Sequence, residues 1–133
     1  MNYAIGVALA FPIAFLARTA GFDRDRSFYP TVLIVIASYY LLFAVIGGST
    51  RALAVEAAAM AVFVTIAVAG HRLNQWLVVG GIAAHALFDF FVHPFITNPG
   101  VPAWWPGFCG SIDLALAVLF GAVLMQRGKQ TTD

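Results

Sequence analysis

Charge is scarce in this sequence. Only 10% of its 133 residues are charged and 62% are hydrophobic, where soluble domains carry roughly 25% and 45–50%. A soluble chain this short cannot hide so much apolar surface in one core, so the excess faces lipid. Cysteine is nearly absent: Cys109 stands alone, which excludes an intrachain disulfide and leaves the redox compartment open. The basic residues are few, not gathered on one face, and leave a net charge of +1, so nothing points to nucleic acid and no such partner is expected. No repeat, linker or low-complexity stretch divides the chain, so residues 1–133 read as a single transmembrane domain. No Lys or Arg precedes the apolar run Tyr3–Ala17. A signal peptide needs a positive n-region, and the run reads instead as a first membrane helix.

Long hydrophobic runs are what the sequence has. Five apolar segments lie at about 2–19, 28–48, 52–70, 76–95 and 108–126. Each approaches the ~20 residues a helix needs to cross ~30 Å of hydrocarbon. None shows the period-2 alternation of a barrel strand, the only other spanning solution. The expected fold is all-α, an integral membrane bundle of five transmembrane helices. Basic residues set its orientation. Arg18, Arg24, Arg26, Arg72, Arg127 and Lys129 fall on one side and Arg51 alone on the other, which predicts an outer N-terminus and a cytoplasmic C-terminus. Trp104 and Trp105 then lie at the outer interface, in a lip stiffened by Pro99, Pro102 and Pro106.

Several ionisable residues interrupt the apolar runs: Glu56 in the third, His85, Asp89 and His93 in the fourth, and Asp113 in the fifth. Each costs roughly 2.5–3.5 kcal/mol on insertion scales and by default faces a protein interior or aqueous cavity. In the expected topology Glu56, Asp89 and Asp113 share one level, roughly 6–9 Å below the outer interface at 1.5 Å per residue. Four-residue steps put His85, Asp89 and His93 on one stripe of a continuous helix, and Cys109 one turn above Asp113.

Three chemistries use such a set. His85, Asp89, His93 and Asp113 are candidate ligands for zinc or another divalent metal, and a thiolate would favour zinc. The paired Glu-x-x-His pattern of di-iron bundles is absent. Without a metal, neighbouring carboxyls in a low-dielectric site can divide acid and base duties, making Asp89, Glu56, Asp113 and His85 candidate catalytic groups. The same residue types also serve as proton or cation relays in transporters. The structural alternative is interhelical glue, since Asp–His pairs can hydrogen-bond between helices. Three carboxylates and two histidines at one depth, with no intramembrane Lys or Arg, exceed what glue requires.

Tyr39, Asn98, Trp104 and Trp105 are candidate substrate contacts, and either Tyr39 or its neighbour Tyr40 could turn a hydroxyl to the cluster. In the loop Phe22-Asp23-Arg24-Asp25-Arg26 the Asp-x-Asp could hold Mg²⁺ on a phosphate headgroup. A turn with locally paired charges, Ser27 capping the second helix and Pro30 in its first turn, explains the loop better. Ala52, Ala54, Ala57, Ala58, Ala59 and Ala61 keep the third helix slim, and Gly80 with Ala84 offers a small-residue contact step in the fourth.

Phe22–Tyr40, His85–Cys109 (including the string NPGVPAWWPGFC) and Asp113 resemble an uncharacterised family of small bacterial multi-pass membrane proteins, a domain of unknown function, over about residues 21–121. The resemblance implies a bacterial inner membrane and no particular activity or cofactor. The leading expectation is a membrane-embedded enzyme acting on a lipid-like or isoprenoid-like small molecule. The alternatives are a small proton- or cation-coupled transporter or binding protein, and an accessory membrane subunit. A thin five-helix bundle is also expected to form a homo-oligomer in the lipid bilayer.

Overall fold

A computed structural model describes residues 1–24 and 26–130. The described chain is all-helical: α1 (Asn2–Ala20), α2 (Phe28–Ile46), α3 (Thr50–Arg72), α4 (Gln75–Leu87) and α5 (Trp105–Gln130). With the turns that continue α4 to Phe95, five helices are long and apolar enough to cross a membrane. The expected ends lie within a few residues of the observed ones, with the largest difference at α5. It starts at Trp105, so the second Trp of the lip belongs to the helix.

The fourth segment is not one continuous α-helix. Beyond Leu87 the chain takes a π turn at Phe88–Val92 and a 3₁₀ turn at His93–Phe95. Pro94 is the local cause. It has no N–H to donate to a carbonyl one turn back, so the α-helical bonding pattern cannot continue through it, although His93 before it keeps α dihedrals. A proline therefore does interrupt the fourth helix, contrary to the expectation of an unbroken span.

The helices form an arc. α1 packs on α5, α5 on α4, α4 on α3 and α3 on α2, and α2 also touches α4. Between α1 and α2, the ends of the arc, contact is marginal at most. Leu33, Ile82, Phe63 and Phe120 fill the shared core, and Tyr29 stacks on Phe120 at 3.8 Å between ring centroids. Gly6 lets α1 approach α5, since a Cβ there would meet Ser111 Oγ and the Phe108 carbonyl. The contact step expected at Gly80 and Ala84 is not used: both are exposed, and Gly81 is the glycine packed against Leu33 and Ile66.

Helix starts follow cap chemistry in two cases. Ser49 Oγ accepts from Ala52 N at 3.2 Å, and Asn74 Oδ1 accepts from Trp76 N at 2.9 Å. Ser27 holds the cap position of α2 without a side-chain cap bond, unlike the expectation. The segment from 96 to 104 folds onto the end of α2, where a Cβ on Gly100 would run into the Phe43 carbonyl. That close approach carries Asn98 inward.

Candidate functional site

Four of the polar side chains converge at the junction of α4, its π turn and α5. Asp89 and Asp113 are 0% exposed and His85 is 1% exposed, so nothing polar but their neighbours can satisfy them. His85 Nδ1 lies 2.8 Å from Asp113 Oδ2 and 3.6 Å from Asp89 Oδ2. Cys109 Sγ donates to Asp113 Oδ2 at 3.8 Å. One ligand-type atom from each of His85, Asp89, Cys109 and Asp113 falls within 4.8 Å of all the others. Both Asp89 carboxylate oxygens and Asp113 Oδ1 have no hydrogen-bond partner.

A second group sits beside the first. Glu56 Oε1 accepts from Asn98 Nδ2 at 3.0 Å and lies 3.2 Å from His93 Nε2, while Glu56 Oε2 has no partner. Asn98 Nδ2 also donates to the Tyr40 carbonyl at 3.1 Å, tying the inward loop to α2. Tyr40 joins the two groups. Its ring stacks on His93 at 4.0 Å and lies 6.1 Å from that of His85. Its hydroxyl approaches Asp89 without a well-directed hydrogen bond. Phe63 closes the other side of His85, edge to face at 4.8 Å.

The structure thus divides the sequence-derived set. His85, Asp89 and Asp113 come together, and His93 turns to Glu56 instead of joining them. The π turn explains this, because an i→i+5 turn holds one residue more than an α turn. His93 therefore leaves the stripe begun by His85 and Asp89. Cys109 takes the remaining place. Its four-residue step from Asp113 is the sequence signal for that place, which the expected ligand set of His85, Asp89, His93 and Asp113 leaves out. Tyr40, not Tyr39, is the tyrosine that reaches the cluster.

Tyr39 and Trp105 have another role. They meet edge to face at 5.3 Å at one end of an apolar groove between α1 and α2. The groove measures about 390 Å³ and has α5 as its floor. Its lining extends over Phe28–Tyr39 of α2 and Trp105–Leu116 of α5. Eleven steps on each helix make it about 16 Å long at 1.5 Å per residue. Leu9 and Ile13 form the α1 wall, and Cys109 and Asp113 lie in the floor. Trp104 is half exposed and packs against Trp105 and Phe108 outside the groove. Asn98 serves Glu56 and does not line it.

At the other end of the bundle Asp23 is held by Arg127, Nη2 to Oδ2 at 3.0 Å. Its charge is therefore met from α5, not within its own loop. The second half of the Asp-x-Asp pattern, Asp25, lies outside the described residues.

No family model, curated protein or solved structure matches the chain.

Proposed function

We propose that this protein is a membrane-embedded enzyme acting on a lipid-like or isoprenoid-like small molecule. The observation that carries the proposal is the apolar groove whose floor contains Asp113 and Cys109. A tail can lie along the groove while a head group reaches the polar cluster. The volume falls within the roughly 300–1,000 Å³ of small-molecule sites.

Insertion itself is part of the proposal. Phe11, Phe15, Val62, Phe91 and Val118 are exposed on the outside while Glu56, Asp89 and Asp113 are enclosed. That inverts a soluble protein and suits hydrocarbon, where backbone polar groups must pair internally. With the N-terminus outside, the cluster lies under the outer leaflet, as the basic residues argue. The bacterial inner membrane is proposed from the resemblance carried by His85–Cys109. Homo-oligomerisation is proposed through the exposed small face Ala54, Ala57, Ala58 and Ala61 of α3, which permits close helix approach.

In this reading Asp89, Asp113 and His85 act on the substrate head. Glu56, oriented by His93 and Asn98, offers a second carboxylate with a free oxygen for proton transfer. Trp105 and Tyr39 form the rim that the head passes. An accessory subunit would turn its acidic groups outward to a partner, which the enclosure of these three argues against. A coupled transporter is the second reading. The interrupted helix beside the cluster favours it, since transporters build sites on such breaks.

A diazirine-bearing long-chain alcohol tests the groove. Photolabelling of purified protein should map to residues such as Ile36, Ile112 and Leu116, and Ile112→Trp should abolish it. Even labelling of the outer surface, unchanged in that variant, would remove the groove as a substrate site. Incubation with a bacterial lipid extract then separates the two readings. An enzyme consumes a component, with Asp113→Asn inactive, whereas a transporter leaves the extract unchanged.

A further inference from the structure

Asp89 is the side chain that the site leaves unexplained. It is fully enclosed, and neither carboxylate oxygen has a hydrogen-bond partner. Among the described residues no Lys or Arg pairs with it or with Asp113. His85 alone faces both carboxylates, 3.6 Å from Asp89 and 2.8 Å from Asp113, and one imidazole cannot neutralise two buried charges, so a further partner of opposite charge fits the space. The neighbouring atoms identify the kind of partner.

We propose that His85, Asp89, Cys109 and Asp113 bind one transition-metal dication, zinc foremost, at the floor of the groove. The inference rests on the enzyme reading for its role and on the donor geometry for its existence. Zinc bonds of about 2.0–2.3 Å place tetrahedral ligand atoms about 3.3–3.8 Å apart. Two of the separations already match: His85 Nδ1 to Asp89 Oδ2 at 3.6 Å and Cys109 Sγ to Asp113 Oδ2 at 3.8 Å. The 2.8 Å contact of His85 Nδ1 with Asp113 Oδ2 is a hydrogen bond that a metal would open. The widest separation in the group, 4.8 Å, needs an inward shift of about 1 Å.

Donor chemistry narrows the ion. Magnesium and calcium take oxygen ligands in sixes or more, and a thiolate with an imidazole selects zinc or a neighbouring transition metal. His93 and Glu56 stay outside the ligand set, because their side chains are engaged with each other. Asp113 and Cys109 lie in the floor of the groove, so the ion would sit directly beneath whatever occupies it. A metal there supplies Lewis-acid polarisation or an activated water.

The test uses Co²⁺, whose spectrum reports ligands directly. Purified full-length protein in detergent is stripped with a chelator and titrated with CoCl₂. The expected result is one cobalt per chain, with the intense visible bands of a tetrahedral site and a near-ultraviolet thiolate-to-cobalt band. Cys109→Ser should lose the near-ultraviolet band and keep weaker visible ones. Asp89→Asn should weaken binding at least about tenfold, while His93→Gln leaves the spectrum unchanged. Each variant is first compared with wild type by helical circular dichroism and gel filtration, so that misfolding is not read as ligand loss. No saturable cobalt binding by the wild type, or a spectrum indifferent to both Cys109→Ser and Asp89→Asn, overturns the metal site. Groove photolabelling of stripped protein keeps the two proposals apart. Labelling without cobalt binding leaves the groove reading standing, and cobalt binding without labelling leaves the metal standing alone.

Discussion

Asn98 shows how much one uncharged side chain can organise. Its amide nitrogen serves both the Glu56 carboxylate and the Tyr40 carbonyl, and its Oδ1 accepts from Gly100 N at 3.3 Å. Removing it leaves a buried carboxylate with one fewer donor. The expected loss for Asn98→Ala is about 1–3 kcal/mol, the penalty for stranding buried partners, visible as a lower midpoint in a detergent thermal melt. An unchanged midpoint would mean that water or a rearranged loop replaces the amide. The role of Asn98 was only partly visible beforehand. Its position between apolar segments marked it as a site residue, but as a substrate contact near the Trp lip. Nothing in local spacing shows that a loop residue folds back under a helix end. That fact depends on Gly100, whose missing Cβ lets the loop reach the Phe43 carbonyl.

At the scale of elements, length and apolarity made the five helices legible, because a membrane span needs a run of fixed length. The end of the fourth helix was not legible in the same way. Hydropathy is blind to a change from i→i+4 to i→i+5 bonding, and only Pro94 hinted at it. The consequence reaches the site: His85 and Asp89 keep their helical step, His93 is redirected to Glu56, and Cys109 joins from α5. The carboxylates were thus legible as a group, while their partition into two neighbouring groups was not. The loop after the break gives an element-level test. Gly100→Ala forces the 96–104 loop off α2 and should lower stability by about 1–3 kcal/mol, as other overpacked positions do. Gly80→Ala is the matched control, since its Cβ would meet nothing within 4 Å. It should be neutral or stabilising by up to about 1 kcal/mol, the helix-propensity gain over glycine. Equal losses in the two variants would show that the loop contact is not what the glycine protects.

For the whole molecule the open question is which way the arc faces. The two ends of the bundle, taken along its helices, are chemically unlike. One carries the Glu56, Asp89 and Asp113 groups and the Trp105 rim, and the other carries Arg18, Arg24 and Arg127 around a cavity of about 320 Å³. The charge asymmetry of the loops predicts a cytoplasmic basic end, which would put the groove's polar end beneath the outer leaflet. Single-cysteine variants in a Cys109→Ser background read this directly in intact cells with a membrane-impermeant maleimide. Asn2→Cys lies at the start of α1 on the cluster side, and Lys129→Cys lies near the end of α5 on the basic side. The expected pattern is labelling of Asn2→Cys in intact cells and of Lys129→Cys only after permeabilisation. The opposite pattern would reverse the bundle and deliver a head group from the cytoplasmic leaflet, with the groove and cluster geometry intact. Labelling of both without permeabilisation is incompatible with five crossings, because an odd number of spans must separate the two ends.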